Sequence, residues 1–306
     1  MHLRFAAIPL LIGAMLAGCA ARQWQPAADA SVGPLLASVP ETRVDATQAA
    51  QRARALLPVD VLLLGEQHDT PAHHQIQQAL VQALAAQGQL AALALEMAPQ
   101  GGSTTGLPAG ASEATVRTAL QWDEAAWPWA RYGPAVMTAV AAGVPVLGAN
   151  LPRSQLQYAM KNKALDDHLT MAMWQKQQEN IREGHCGLLP ESQIIPMTRV
   201  QLARDAAMAQ TIARALQPGR AVLLIAGNGH VDRVMGVPTH LAQTAPPLRV
   251  ASVVLTPTSA VADGLPAADA TWRTAAPPPR DYCAELREQM PARGPAGGAM
   301  PLAPGR

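Results

Sequence analysis

Val61-Leu62-Leu63-Leu64-Gly65-Glu66-Gln67-His68 and Val222-Leu223-Leu224-Ile225-Ala226-Gly227-Asn228-Gly229-His230 decide the fold. Each is an apolar run closed by Gly-x-x-His, and more than 150 residues separate them. Strands this uniformly apolar belong in a parallel sheet covered on both faces. Ligands of such sheets gather beyond the carboxyl ends of the strands. The two motifs therefore predict two histidines and a glutamate at one rim, where imidazole and carboxylate serve as metal ligands or as acid and base.

Strands are expected near residues 56–64, with Asp60 as an alternative start, and near 90–95, 144–147, 221–226 and 249–255. Helical spacing covers 71–87, 122–142, 154–184 and 191–216. Thr70-Pro71 opens the first of these with a hydroxyl cap and a proline at the first helical position. The alternation predicts an α/β fold: an open, mostly parallel sheet with flanking helices. A helical insert at about 112–217 is expected as a lid over the carboxyl edge.

The ends read differently. Met1-His2-Leu3-Arg4 is basic, residues 5–16 are apolar, and Leu16-Ala17-Gly18-Cys19 follows. This is the pattern of an export signal over residues 1–18, too short for a comfortable membrane span. Residues 19–40 read as a tether, 41–274 as the folded domain, and the Pro-, Gly- and Ala-rich 275–306 as a mostly disordered tail. Cys186 and Cys283 fit one disulfide in an exported chain. Closing a loop of about a hundred residues is worth ~4.7 kcal/mol by loop-closure entropy. A thiolate ligand at Cys186, beside His185, is the alternative. The formal net charge of +1 shows no basic block, which argues against a nucleic-acid partner.

Several residues carry possible chemistry. Glu66 and His68, two apart, project to the same side of an extended segment. Glu96 follows Leu93-Ala94-Leu95, and a carboxylate there needs a cation, a donor or water. A metal-dependent hydrolase would hold a divalent ion with Glu66, His68 and His230 and use Glu96 or His73 as base. His73 falls on the apolar stripe of its helix, whose dipole favours a neutral ring suited to a cofactor ligand; His74 is expected in solvent. Asp205 shares a stripe with Ala209 and Ile212, so it faces the core and needs a cation, either Arg153 or a metal. Trp122, Trp127, Trp129 and Tyr132 concentrate aromatic surface in a chain with six Trp and three Tyr, as a ligand platform or as buried lid core. Each motif also has a plain structural reading, as a turn or a cap.

The ordered set resembles a known family. Gly65-Glu66-Gln67-His68-Asp69 with His73-His74 and Gln77, then Leu95-Glu96-Met97, Trp129 and Tyr132-Gly133-Pro134, Asn150-Leu151-Pro152-Arg153, His185-Cys186, Arg204-Asp205 and Gly227-Asn228-Gly229-His230 are similar to the ChaN haem-binding lipoproteins of the Tiki superfamily. Leu16-Ala17-Gly18-Cys19 resembles a lipobox. The resemblance implies haem as ligand, a role in iron or haem uptake, and a lipid anchor at Cys19 in the outer membrane, facing the periplasm. It further implies haem at a lid or dimer interface, with a tyrosine on iron. That role falls to Tyr132 or Tyr158, with Arg153 near a propionate and Trp129 packing the porphyrin. The wider superfamily includes metal-dependent peptidases and esterase-like hydrolases, which keeps the enzyme reading open.

Overall fold

The run Val61–Glu66 has no polar face to turn to water, and all of it is buried. It forms β1 at the inside of a six-stranded sheet in a computed structural model that describes residues 43–243, 247–260 and 264–289. All of these lie in one unit of the chain, Pro40–Arg306. The expected signal, Cys19, the tether and residues 290–306 lie outside the described residues.

In chain order the elements are α1 (Ala46–Leu56), β1 (Val61–Glu66), α2 (Pro71–Ala86), β2 (Leu90–Pro99), α3 (Glu113–Ala119), α4 (Trp129–Ala141) and β3 (Val146–Asn150). They continue with α5 (Leu156–Lys161), α6 (Met171–Gly184), α7 (Glu191–Ala215), β4 (Ala221–Gly227), α8 (Val237–Leu241), β5 (Val250–Pro257), β6 (Ala270–Thr274) and α9 (Tyr282–Gln289). The strand order is β3-β2-β4-β1-β5-β6. Every pairing is parallel, so all carboxyl ends share one edge.

Alternate side chains feed two cores, as the two-residue period of a strand demands. Leu62, Leu64, Leu223 and Ile225 pack with Ile76 and Leu80 of α2 and with Val136 of α4. Val61, Leu63, Val222 and Leu224 pack on the opposite face with Met208 and Ile212 of α7. The register pairs Gly65 with Ala226 and Glu66 with Gly227, which sets the two Gly-x-x-His turns side by side.

The structure departs from expectation in four places. Residues 56–60 are not strand, since α1 runs to Leu56 and pairing begins at Val61. A sixth strand, β6, follows the one expected to be last; short and half-exposed, it carries little apolar signal. Part of the expected tail is ordered as α9. Finally, the insert is not wholly a lid. It supplies strand β3, and α4 and α7 enter the two main cores. Only α5, α6 and the first half of α7 rest on small clusters of their own, such as Leu156, Ala159 and Val200. The expected disulfide is present. It joins Cys186 to Cys283, 97 residues apart, which rules out Cys186 as a thiolate ligand.

Candidate functional site

Regular pairing of β2 with both neighbours ends at Leu95, one residue before Glu96. Glu66 closes β1, and Gly227 closes β4. The parallel register therefore delivers Glu66, His68, Glu96 and His230 to one rim, all buried. Gly65 allows the approach. A Cβ there would lie 2.5 Å from both Asn228 Oδ1 and Val231 Cγ2.

The side chains form an alternating row of carboxylates and imidazoles. Asp205 Oδ1 lies 2.5 Å from His230 Nδ1. His230 Nε2 lies 3.3 Å from Glu96 Oε1, and His68 Nε2 lies 3.7 Å from Glu96 Oε2. His68 Nδ1 lies 2.8 Å from Glu66 Oε1. The Tyr132 hydroxyl donates to Glu66 Oε1 at 2.9 Å, and Gln77 donates to Glu66 Oε2. The Gly227 amide donates to Glu96 Oε2 at 2.7 Å.

Burial alone would strip charge from every one of these groups; their mutual attraction opposes it. Burial pushes the His230 ring down, but Glu96 and Asp205 outweigh it and raise its pKa to about 10. His68 is raised in the same way, by Glu96 and Glu66 against burial. Burial would raise Glu96, yet His230 and His68 hold it well below the usual carboxylate range. Asp205 goes the other way: burial wins, and its pKa rises to about 6. Burial and the Glu66 charge push the Tyr132 phenol far up, so it stays a neutral donor. The row can store and exchange protons between paired groups. One of its atoms, His68 Nε2, has no hydrogen-bond partner among the described residues, and Glu96 Oε1 has His230 Nε2 at 3.3 Å.

The donors do not fit the expected divalent ion. Glu66 pairs with His68, while His230 pairs with Glu96 and Asp205, so each imidazole already faces carboxylates. Among the described residues, no group of three or more His, Cys, Asp or Glu is placed to hold a metal ion.

Other expectations change in detail. The partner of Asp205 is His230, not Arg153 or a metal. Arg153 is 79% exposed and pairs with Asp123. His73 is buried; its Nδ1 accepts from the Gln67 amide and its Nε2 lies 3.0 Å from Thr274 Oγ1. Burial lowers its pKa to about 4, so it is a neutral, fully bonded core histidine rather than a free ligand or base. His74 is not solvated but half-buried, 3.1 Å from the His68 carbonyl and 3.6 Å from Glu66. Trp127, Trp129 and Tyr132 are buried in the main core, in line with the buried-core alternative rather than an exposed ligand platform. Trp129 Nε1 donates to Glu113. Tyr158 is 75% exposed on α5. Residue-by-residue reading missed Gln201, whose amide lies 3.0 Å from His230 Nδ1. Its signal was its place one turn before Asp205 on the same face of α7. Arg204, read only as part of a motif, is half-buried, with its charge acting on Glu96 and Asp205.

The family described as "Haem-binding uptake, Tiki superfamily, ChaN" matches residues 52–241. Among solved structures, ChaN of Campylobacter jejuni, described with cofacial haem binding, is 25% identical with a TM-score of 0.55. The match covers 67% of this chain and 85% of that one. An erythromycin esterase variant in its open conformation is 14% identical with a TM-score of 0.40, over 70% of this chain and 74% of that one. No curated protein matches by sequence. With the family pattern spanning more than half of the residues, from α1 through both Gly-x-x-His turns to α8, the chain belongs to the ChaN haem-binding family of the Tiki superfamily.

Proposed function

We propose that this protein is a lipid-anchored haem carrier in iron uptake, with Tyr158 as the ligand to iron. One observation carries the choice. Of the three tyrosines, Tyr132 donates to Glu66 and Tyr282 donates to Asp69, while Tyr158 stands in solvent. A phenolate is an established ligand to haem iron. Met171 and Ile195, exposed at 72% and 43%, lie on the next two helices of the insert in chain order and add apolar surface. Arg153 lies five residues before Tyr158; its exposed pair with Asp123 is worth little and is free to exchange for a propionate. Bound haem would supply an iron centre to be carried. Cofacial haem binding, described for the Campylobacter relative, makes a homodimer sharing this surface the natural arrangement.

Haemin titration of the purified protein should give a saturable Soret shift that Tyr158→Phe removes and Tyr132→Phe retains. The reverse result would move the site to the rim. Haem-dependent dimerisation should appear as a doubled mass in sedimentation. Anchoring at Cys19 and placement at the outer membrane predict acyl labelling that Cys19→Ser abolishes.

A second reading, hydrolysis at the rim, is favoured by His68 Nε2, which has no partner among the described residues and can bond a water or a polar substrate atom. Ester hydrolysis lost in His68→Ala with the haem band intact would support it; absence of turnover on a panel of esters and amides would count against it.

A further inference from the structure

β6 ends at Thr274 on the carboxyl edge, beside buried His73. From there the chain passes the β1–α2 loop. The Tyr282 hydroxyl donates to Asp69, and Arg280 Nη1 lies 3.5 Å from the same carboxylate. Asp69 is the residue after His68. One residue beyond Tyr282, Cys283 is bonded to Cys186 in the turn between α6 and α7. Residues 275–289 thus run from the edge strand, past the loop that carries His68, to the helical insert.

This segment lies shallow on the molecule. None of its described side chains is fully buried, and none belongs to either main apolar core. A helix of 8 residues has no stability of its own in water. The Asp69 contacts are partly exposed, and such pairs contribute little. The covalent bond ties the segment to the helical insert. Both cysteines are half-buried rather than enclosed. Cys186 has a φ of +55°, in a turn held by amide bonds to the end of α6.

We propose that Cys186–Cys283 is a redox latch. Oxidised, it holds residues 275–289 as a strap on Asp69 and so fixes the β1–α2 loop that carries His68. A dithiol donor opens it: two electrons and two protons pass to the bond, the Sγ–Sγ link breaks into two thiols, and the donor closes to its own disulfide. The latch acts on the loop that carries His68 and does not depend on where haem binds.

Hydrogen exchange of the full chain tests this, with and without dithiothreitol. Reduction should speed amide exchange across residues 67–74 at least tenfold, while residues 222–226 of β4 keep their protection. Cys283→Ser should behave as the reduced protein without any reductant. Tyr282→Phe in the oxidised protein should raise exchange at the same amides about two- to threefold, since it removes only the hydroxyl contact. Unchanged exchange at 67–74 in reduced protein and in Cys283→Ser overturns the latch. Equal loss of protection in β4 overturns it too, because the bond would then support the whole fold. No change in Tyr282→Phe would overturn Asp69 as the point of contact.

Discussion

The carboxyl rim and the helical insert distribute their chemistry in opposite ways. At the rim, Glu66, His68, Glu96, Asp205 and His230 are all buried, and each faces a group of opposite charge. On the insert, Tyr158, Met171 and Ile195 lie open to solvent. Charge is tolerated inside because it is neutralised within the row; apolar surface is exposed where it has no partner in the chain. A large planar ligand needs accessible apolar area, which the rim lacks and the insert has. Proton chemistry needs paired, dry groups, which the rim provides.

Glu96→Ala should separate the two regions most sharply. It leaves two buried imidazoles without the carboxylate between them and should cost ~3–5 kcal/mol in denaturant unfolding. Haem affinity of the folded fraction should not move; a parallel loss would mean that the regions are coupled. Alkaline pH comes next. His230 has a folded pKa near 10, above its unfolded value near 6.5. Its stabilisation is complete below about pH 6.5 and is lost as pH rises towards 10, on the order of a few kcal/mol. Unfolding free energies measured between about pH 6 and pH 10.5 should show this fall, and His230→Asn should flatten it. The tyrosines give a crossed test. Tyr132→Phe should lower stability by about 1–3 kcal/mol by removing the donor to Glu66, with little change in haem affinity. Tyr158→Phe should leave stability unchanged and weaken haem binding at least tenfold, or ~1.4 kcal/mol. The smallest effect belongs to Arg153→Ala, within about 0.5 kcal/mol in stability because its ion pair is exposed, and a few-fold in haem affinity.

The sheet and its rim were legible because both rest on uninterrupted apolar runs. Val61-Leu62-Leu63-Leu64 and Val222-Leu223-Leu224-Ile225 tolerate few other environments, and the glycines after them mark where each strand must turn. Elements with mixed faces were harder to read. β6 is a short edge strand with an exposed Thr271, and α9 is fixed by a covalent bond rather than by an apolar stripe. At the site, the residue types were readable and the partners were not. That Asp205 faces the core follows from its stripe on α7; that it meets His230 depends on how α7 lies across β4, which no local pattern encodes. The same limit hid the difference between Tyr132 and Tyr158. Both sit in helical patterns near prolines or arginines, and only tertiary packing sends one phenol to Glu66 and leaves the other outside.

β1 has a consequence for how the molecule is made. Both of its neighbours in the sheet, β4 and β5, come from residues beyond 220. A ribosome that has finished the first two hundred residues has synthesised neither, so the middle of the sheet cannot close until late in synthesis. A nascent chain in that condition has no closed sheet until β4 and β5 have both been made.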